Sequence, residues 1–259
     1  MDGRPKVLRF SSASMKEKYI MHKKWGETPL EALSRLRSEE NIPEDIPMTY
    51  AGRLDPAAEG FLVVLTGEEC KKKEEYTKLD KTYRAEIIFG ISTDTYDLLG
   101  IPTYTGVAGK KFRDIVGYAG LYIEEHHGKQ FQKYPPYSSK TVDGVQLHTH
   151  AREGRVVEAP HHEVELYDCK KIASSERTRE EILSRVDDLT KKVTGDFRQS
   201  EIRDAWHTLP AFMLLPSITF ELSVSSGFYI RQFAEDLGEA LGVSACLYSL
   251  VRTGIEKAR

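Results

Sequence analysis

Apolar residues fall at helical spacing in four stretches of this chain and at strand spacing in three others. Residues 28–41, TPLEALSRLRSEEN, place Leu30, Leu33 and Leu36 on one stripe, the repeat of an amphipathic helix. Thr28 is its predicted N-cap, Pro29 its first residue, and Glu31 completes a T-x-x-E capping box that satisfies two otherwise orphaned amides. Residues 112–123 predict a short amphipathic helix, and 175–193 a longer one with Ile182, Val186, Leu189 and Val193 inward. Residues 229–242, YIRQFAEDLGEALG, predict a fourth, with Ile230, Phe233, Leu237 and Leu241 apolar and Gly242 as its stop.

Strand patterns interleave with these helices. Residues 61–67, FLVVLTG, are continuously apolar, as in a strand covered on both faces. Residues 83–90 put Tyr83, Ala85, Ile87 and Phe89 on one face, and 218–224 alternate strictly. Residues 91–111 read as loop, and the Pro135–Pro136 pair is expected to keep 128–140 out of regular structure. Helices and strands mix without a βαβ rhythm, so the fold class is α+β.

No run approaches the ~20 consecutive apolar residues of a bilayer span, and the polar N-terminus lacks the apolar core of a signal peptide. Cys70, Cys169 and Cys246 are scattered without C-x-x-C spacing, the usage of a reduced cytoplasmic protein. Net charge is −3, from 37 basic and 40 acidic residues. A nucleic-acid partner must therefore be met by local clusters. Residues 128–155 hold such a cluster: Lys129, Lys133, Lys140, Arg152 and Arg155 interleave with Phe131, Tyr134 and Tyr137. Cations for phosphate and rings for unstacked bases suit folded RNA loops, though a solvated loop would look similar. Histidines pair at 126–127, 148/150 and 161–162 without the neighbours a metal site wants, and read as surface or RNA-facing residues.

The segment GRLDPAAEG, residues 52–60, holds the strongest candidate for chemistry. Asp55 precedes Pro56, which pushes its backbone out of the helical region. A carboxylate would stand on a stiff turn at the rim of a sheet. Taken alone, the segment reads more readily as an ordinary Asp–Pro turn between a helix and a strand.

This segment resembles the signature of the TruB family of pseudouridine synthases, and the resemblance continues in order along the chain. K-T-Y-R (81–84) followed by G-x-x-T-D-T-x-D-x-x-G (90–100) resembles the second family motif. YPPYSSK with a following G-x-x-L (134–147) and A-R-E-G (151–154) resembles the third. Residues 225–242 resemble the fourth, and L-V-R-T (250–253) the last. The resemblance implies a pseudouridine synthase fold, a mixed and mostly antiparallel sheet flanked by helices with a thumb-like RNA-binding insertion. It implies that Asp55 is the catalytic aspartate, Tyr83 the aromatic packed on the target base, Arg231 the partner of the aspartate, and Leu250 a pocket residue. Tyr50, Arg53, Lys81, Lys129, Lys133, Tyr137, Lys140 and Arg152 are the expected RNA contacts. No metal or cofactor is implied, and the partner is RNA, a tRNA T arm, met by a monomer in the cytoplasm.

Residue chemistry fits these roles while leaving plainer readings open. Arg231 falls in the first turn of its helix, where the macrodipole disfavours a cation by ~0.3–1 kcal/mol, so an anionic partner is expected, against an Arg that simply faces solvent. Tyr83 also reads as a core tyrosine or as a proton-abstracting base, and Leu250 as packing.

The chain departs from the family pattern in places. Tyr50 stands where a His is usual, Arg53 where a small residue is usual, and Glu59 and Cys70 replace threonines. G-R-L-D is instead reminiscent of the RluA and RsuA families, so ribosomal RNA is the alternative substrate. A catalytically idle RNA-binding or RNA-folding protein is the alternative from another class. Residues 1–259 are expected to form one catalytic domain with an insertion at about 173–217, ending too soon after L-V-R-T for a PUA domain.

Overall fold

The computed structural model describes residues 17–256; most of the polar N-terminal stretch lies outside them. The first half comprises β1 (Lys18–Lys23), α1 (Pro29–Glu39), β2 (Met48–Ala51), β3 (Ala58–Thr66), a 3₁₀ turn (Gly67–Lys72), α2 (Lys73–Thr77), β4 (Asp80–Phe89), β5 (Ile91–Thr93), β6 (Pro102–Tyr104) and α3 (Phe112–Glu125). There follow β7 (Gly128–Lys133), β8 (Thr141–Val142), β9 (Val145–Gln146), α4 (Leu147–Arg152), β10 (His161–Thr178), α5 (Arg179–Lys192), α6 (Gln199–His207), β11 (Leu214–Val224), α7 (Ile230–Ala240) and β12 (Ala245–Glu256).

Eight strands make one sheet in the order β1-β3-β12-β4-β11-β10-β7, with β2 also on β3. Among the described residues its pairings are antiparallel except β12 on β3. The period-two pattern of the central strands separates two cores. On β4, Tyr83, Ala85, Ile87 and Phe89 face a core shared with α3 and α7, while Ile88 faces a second core shared with α5 and α6. β12 divides likewise, Ala245 and Leu247 one way, Cys246 and Tyr248 the other. Continuous apolar runs follow because both faces are covered.

Residues 173–217 are the outer thirds of β10 and β11 with α5 and α6 between them. The helix pair is fastened to the sheet. Trp206 is fully buried and its indole N–H donates to the Gly100 carbonyl at 2.9 Å. Arg185 Nε donates to the Tyr248 carbonyl at 3.1 Å.

α1 carries the expected capping box between Thr28 and Glu31, and α7 buries the four apolar residues expected. Several expectations are corrected. Residues 128–133 form strand β7, paired with His161–Leu166 of β10; the proline pair lies beyond the strand and removes no ladder donor. Within 91–111, β5 and β6 pair as a hairpin. The strand β10 persists to Thr178, whose own capping box with Glu181 starts α5 later than the periodicity suggests. Leu30 is 67% exposed, because α1 buries Pro29, Ala32 and Leu36, a face rotated by one position. Among the described residues no helix is long and apolar enough to cross a membrane.

Candidate active site

Asp55 lies in the link between β2 and β3, and the link is tied down from two directions. Arg252 of β12, 1% exposed, donates from Nε to the Phe61 carbonyl at 2.6 Å, from Nη1 to Arg53 O at 3.3 Å and from Nη2 to Gly52 O at 3.0 Å. From the other direction Lys23, also buried, donates to the carbonyls of Ala58 and Glu27, each at 2.7 Å. Burial lowers the Lys23 pKa to about 8, partly countered by nearby Glu27 and Asp55. The Ala58 amide closes the turn on Asp55 O at 3.0 Å. These bonds fix the aspartate backbone before any substrate arrives.

Gly60 permits this arrangement. Its φ is +111°, and a Cβ there would stand 2.3 Å from the Arg252 carbonyl oxygen, across the parallel β3–β12 pairing. Gly60→Ala is therefore expected to cost about 2–3 kcal/mol of stability, read as a lowered midpoint of denaturant unfolding. An unchanged midpoint would show that the two strands can part without consequence.

Arg231, the second residue of α7, crosses 176 positions of sequence to reach this turn. Its Nε donates to Asp55 Oδ2 at 3.0 Å, Nη1 to Thr95 O at 2.8 Å, and Nη2 to Tyr137 O at 3.1 Å. The residue is 6% exposed, and Asp97 Oδ2 lies 3.8 Å from its Nε. Burial opposes its charge, but the Asp55 and Asp97 carboxylates outweigh burial and hold its pKa above the usual arginine value. For Asp97 burial wins. Its pKa is raised despite Arg231, the Thr95 hydroxyl at 2.8 Å and the Leu99 amide at 2.9 Å.

A cavity of about 270 Å³ beside this pair is lined by Asp55, Tyr83, Arg231, Leu250, Lys81, Arg53 and Tyr137, together with Ser138 and the 225–229 turn. The structure thus gathers the three candidates for chemistry. Tyr83 is 7% exposed and counts at once as core and as cavity wall. Lys81 donates to Thr77 O at 2.6 Å, and burial with Arg252 nearby lowers its pKa to about 8. An adjoining cavity of about 390 Å³ shares Arg53, Asp55, Tyr137 and Arg231, and adds Tyr50, Arg152, Phe197 and Arg198.

Three expected RNA contacts line neither cavity. Lys129 lies on β7, 3.7 Å from Glu163. Lys133, also on β7, lines a separate cavity with Tyr134 and His150. Lys140 Nζ sits 5.3 Å from the Tyr134 ring centre. The pairing of β7 with β10 carries 128–133 to the far edge of the sheet, so the basic segment is divided, with Tyr137 and Arg152 at the site. Nor are the histidines uniformly surface residues. His150 is 4% exposed, with Nε2 3.2 Å from Val142 O, while His126 and His162 stack on Tyr122 and Tyr134. Among the described residues no group of three or more His, Cys, Asp or Glu is placed to hold a metal.

Sequence reasoning missed Asp97, Arg252, Ser138, Phe197 and Arg198. Asp97 and Ser138 stood inside quoted motifs without a role. Phe197 and Arg198 carried no signal, since only the fold of 173–217 brings them here.

A half-exposed carboxylate held against a buried guanidinium, beside an aromatic wall, is equipped for nucleophilic or proton-transfer chemistry on a flat apolar-faced group. Residues 47–193 match the family model described as TruB family pseudouridylate synthase, N-terminal domain. The chain is 24% identical over 241 residues to tRNA pseudouridine synthase B of Aquifex aeolicus, covering 92% of this chain and 68% of that protein. It is 31% identical over 207 residues to the protein of that name from Geobacter sulfurreducens, covering 78% and 53%. The chain thus spans about half to two thirds of the length of these relatives. Its fold is that found in the crystal structure of a Cbf5–Nop10–Gar1 complex, with a TM-score of 0.54 at 16% identity, covering 92% of this chain and 48% of that one.

Proposed function

We propose, from the premise that this chain belongs to the TruB family of pseudouridylate synthases, that it isomerises a uridine in structured RNA, the tRNA T arm, to pseudouridine. The observation that carries the reading is the 3.0 Å contact between Asp55 and Arg231 on the wall of a cavity that Tyr83 and Leu250 also line.

The reaction breaks the bond between uracil N1 and the ribose, turns the base, and joins C5 to the same carbon. The C5 proton leaves and N1 gains one, so the product is an isomer and the chemistry can be run by one ionised carboxylate. Arg231 holds that carboxylate with a fixed positive charge, its three nitrogens set by Asp55 and two backbone carbonyls. Tyr83 and Leu250 offer an apolar wall to the ring. The target base must leave its stack to reach them, at a cost of a few kcal/mol, and Arg53, Lys81 and Arg152 are among the cations that line the cavities and are available to the flanking phosphates. Tyr50, with Lys73 Nζ 5.4 Å from its ring centre, is available to stack on RNA.

The test is release of tritium from a T-arm hairpin labelled at uridine C5, run beside a ribosomal RNA hairpin. Release from the T-arm hairpin supports both chemistry and substrate. Release from the ribosomal RNA alone keeps the chemistry and moves the substrate, and no release from either refutes the enzyme.

A further inference from the structure

We infer that the turn joining α5 to α6 walls a second nucleotide subsite, in which Phe197 stacks on a base and Arg198 holds a phosphate of RNA next to the target uridine. This deepens the reading above and rests on it for the identity of the ligand. The subsite is the 390 Å³ cavity that shares Asp55 and Arg231 with the uridine cavity, so a strand entering one passes the other. Tyr50 and Phe197 supply rings there, and Arg53, Arg152 and Arg198 supply cations. Rings with interleaved guanidinium groups suit an unstacked strand.

The turn is built rather than loose. Gln199 Nε2 donates to Val193 O at 3.1 Å and Gly195 O at 2.7 Å, and its Oε1 accepts from the Phe197 amide at 3.1 Å. Arg198 has a φ of +58° and stands at the N-cap of α6 without capping it. Gly or Asn is usual in that conformation, and Ser, Thr, Asp, Asn or Gly at that cap. An arginine satisfies neither preference, so what the position gains is the guanidinium. Strain kept at one residue of a cleft is a pointer to function.

The guanidinium is aimed. Nη2 lies 2.8 Å from Asp94 Oδ2, and its carbon 5.2 Å from the Tyr137 ring centre. Asp94 also accepts from the Tyr137 hydroxyl at 3.2 Å and from the Ile101 amide at 2.8 Å. Tyr137 O in turn accepts from Arg231. Among the described residues one nitrogen of Arg198 is thus engaged in an ion pair, and the guanidinium has further N–H donors to offer an anion. From the same turn Asp196 holds Arg152, through its carbonyl and by its carboxylate at 3.6 Å.

The test compares wild type with Arg198→Gly and Phe197→Ala on the T-arm hairpin, by filter binding across salt and by tritium release. Glycine suits the left-handed backbone, so this variant removes the side chain without forcing the turn open. Expected for Arg198→Gly are an affinity about tenfold weaker, a loss falling on KM more than on kcat, and a salt slope shallower by about 0.7, the loss of one single-strand phosphate contact. Phe197→Ala is expected to weaken binding about tenfold with the salt slope kept. Wild-type affinity and slope in both variants overturn the subsite. So does a fall in kcat alone for Arg198→Gly, which would make Arg198 a brace for Tyr137. If wild type releases no tritium while both variants bind more weakly, the isomerase reading fails and the subsite stands.

Discussion

The Asp55→Asn protein is expected to fold, to bind the T-arm hairpin within a few-fold of wild type, and to release tritium at least about 10⁴-fold more slowly. That factor is the usual scale for deleting the group that attacks or moves the proton, and corresponds to ~5.5 kcal/mol of barrier at 1.36 kcal/mol per decade. Asparagine keeps the shape and can still accept from Arg231 Nε, but it can neither attack nor take a proton. Stability should change little. Asp55 is the exposed partner of the pair, its side chain 35% exposed against 7% for Arg231, and Arg231 keeps two backbone acceptors and Asp97. A loss of about 1 kcal/mol is expected. Tritium release within tenfold of wild type would remove Asp55 from the chemistry. Lost RNA binding with intact folding would make it a binding residue instead.

That Asp55 and Arg231 meet was legible through the family resemblance, since the Asp–Pro segment by itself reads as an ordinary turn. The one local sign was an arginine at a helix N-terminus, which invites an anion. Elements with strong local signals were equally readable, among them the capping box of α1, the apolar face of α7 and the alternation of β4. What failed was whatever depends on partners far away in sequence. Lys129 and Lys133 look like members of one basic loop until β7 pairs with β10 and carries them off. Asp97 looks like any loop acid; its burial follows from the meeting of α7 and β12. Arg252 reads as one member of a short last motif, while its role is to hold the carbonyls of Gly52 and Arg53, 200 and 199 positions away.

Arg231→Met should show how the site depends on one cation between two carboxylates. The substitution roughly conserves side-chain volume but leaves Asp97, a buried carboxylate, without the guanidinium beside it. Removing one partner from a buried ion group costs about 3–5 kcal/mol, roughly 6–10 °C in Tm for a protein of this size. The loss should depend on pH, and its sign follows from Asp97. Burial already raises that carboxyl above its ordinary value while Arg231 restrains the rise; without the guanidinium it rises further. A carboxyl that holds its proton more tightly folded than unfolded makes stability fall as pH climbs from the unfolded value, about 3.9, through the folded one. The variant should therefore lie closer to wild type at pH 5 than at pH 8. Adding Asp97→Asn should restore much of the Tm at pH 8, because the stranded charge is gone. It should not restore tritium release, because Asp55 still lacks the guanidinium that holds its carboxylate in place, and release is expected to stay at least about 10³-fold down. A deficit equal at both pH values and untouched by Asp97→Asn would mean that Arg231 matters through packing, and an active Arg231→Met would mean that the carboxylate works alone.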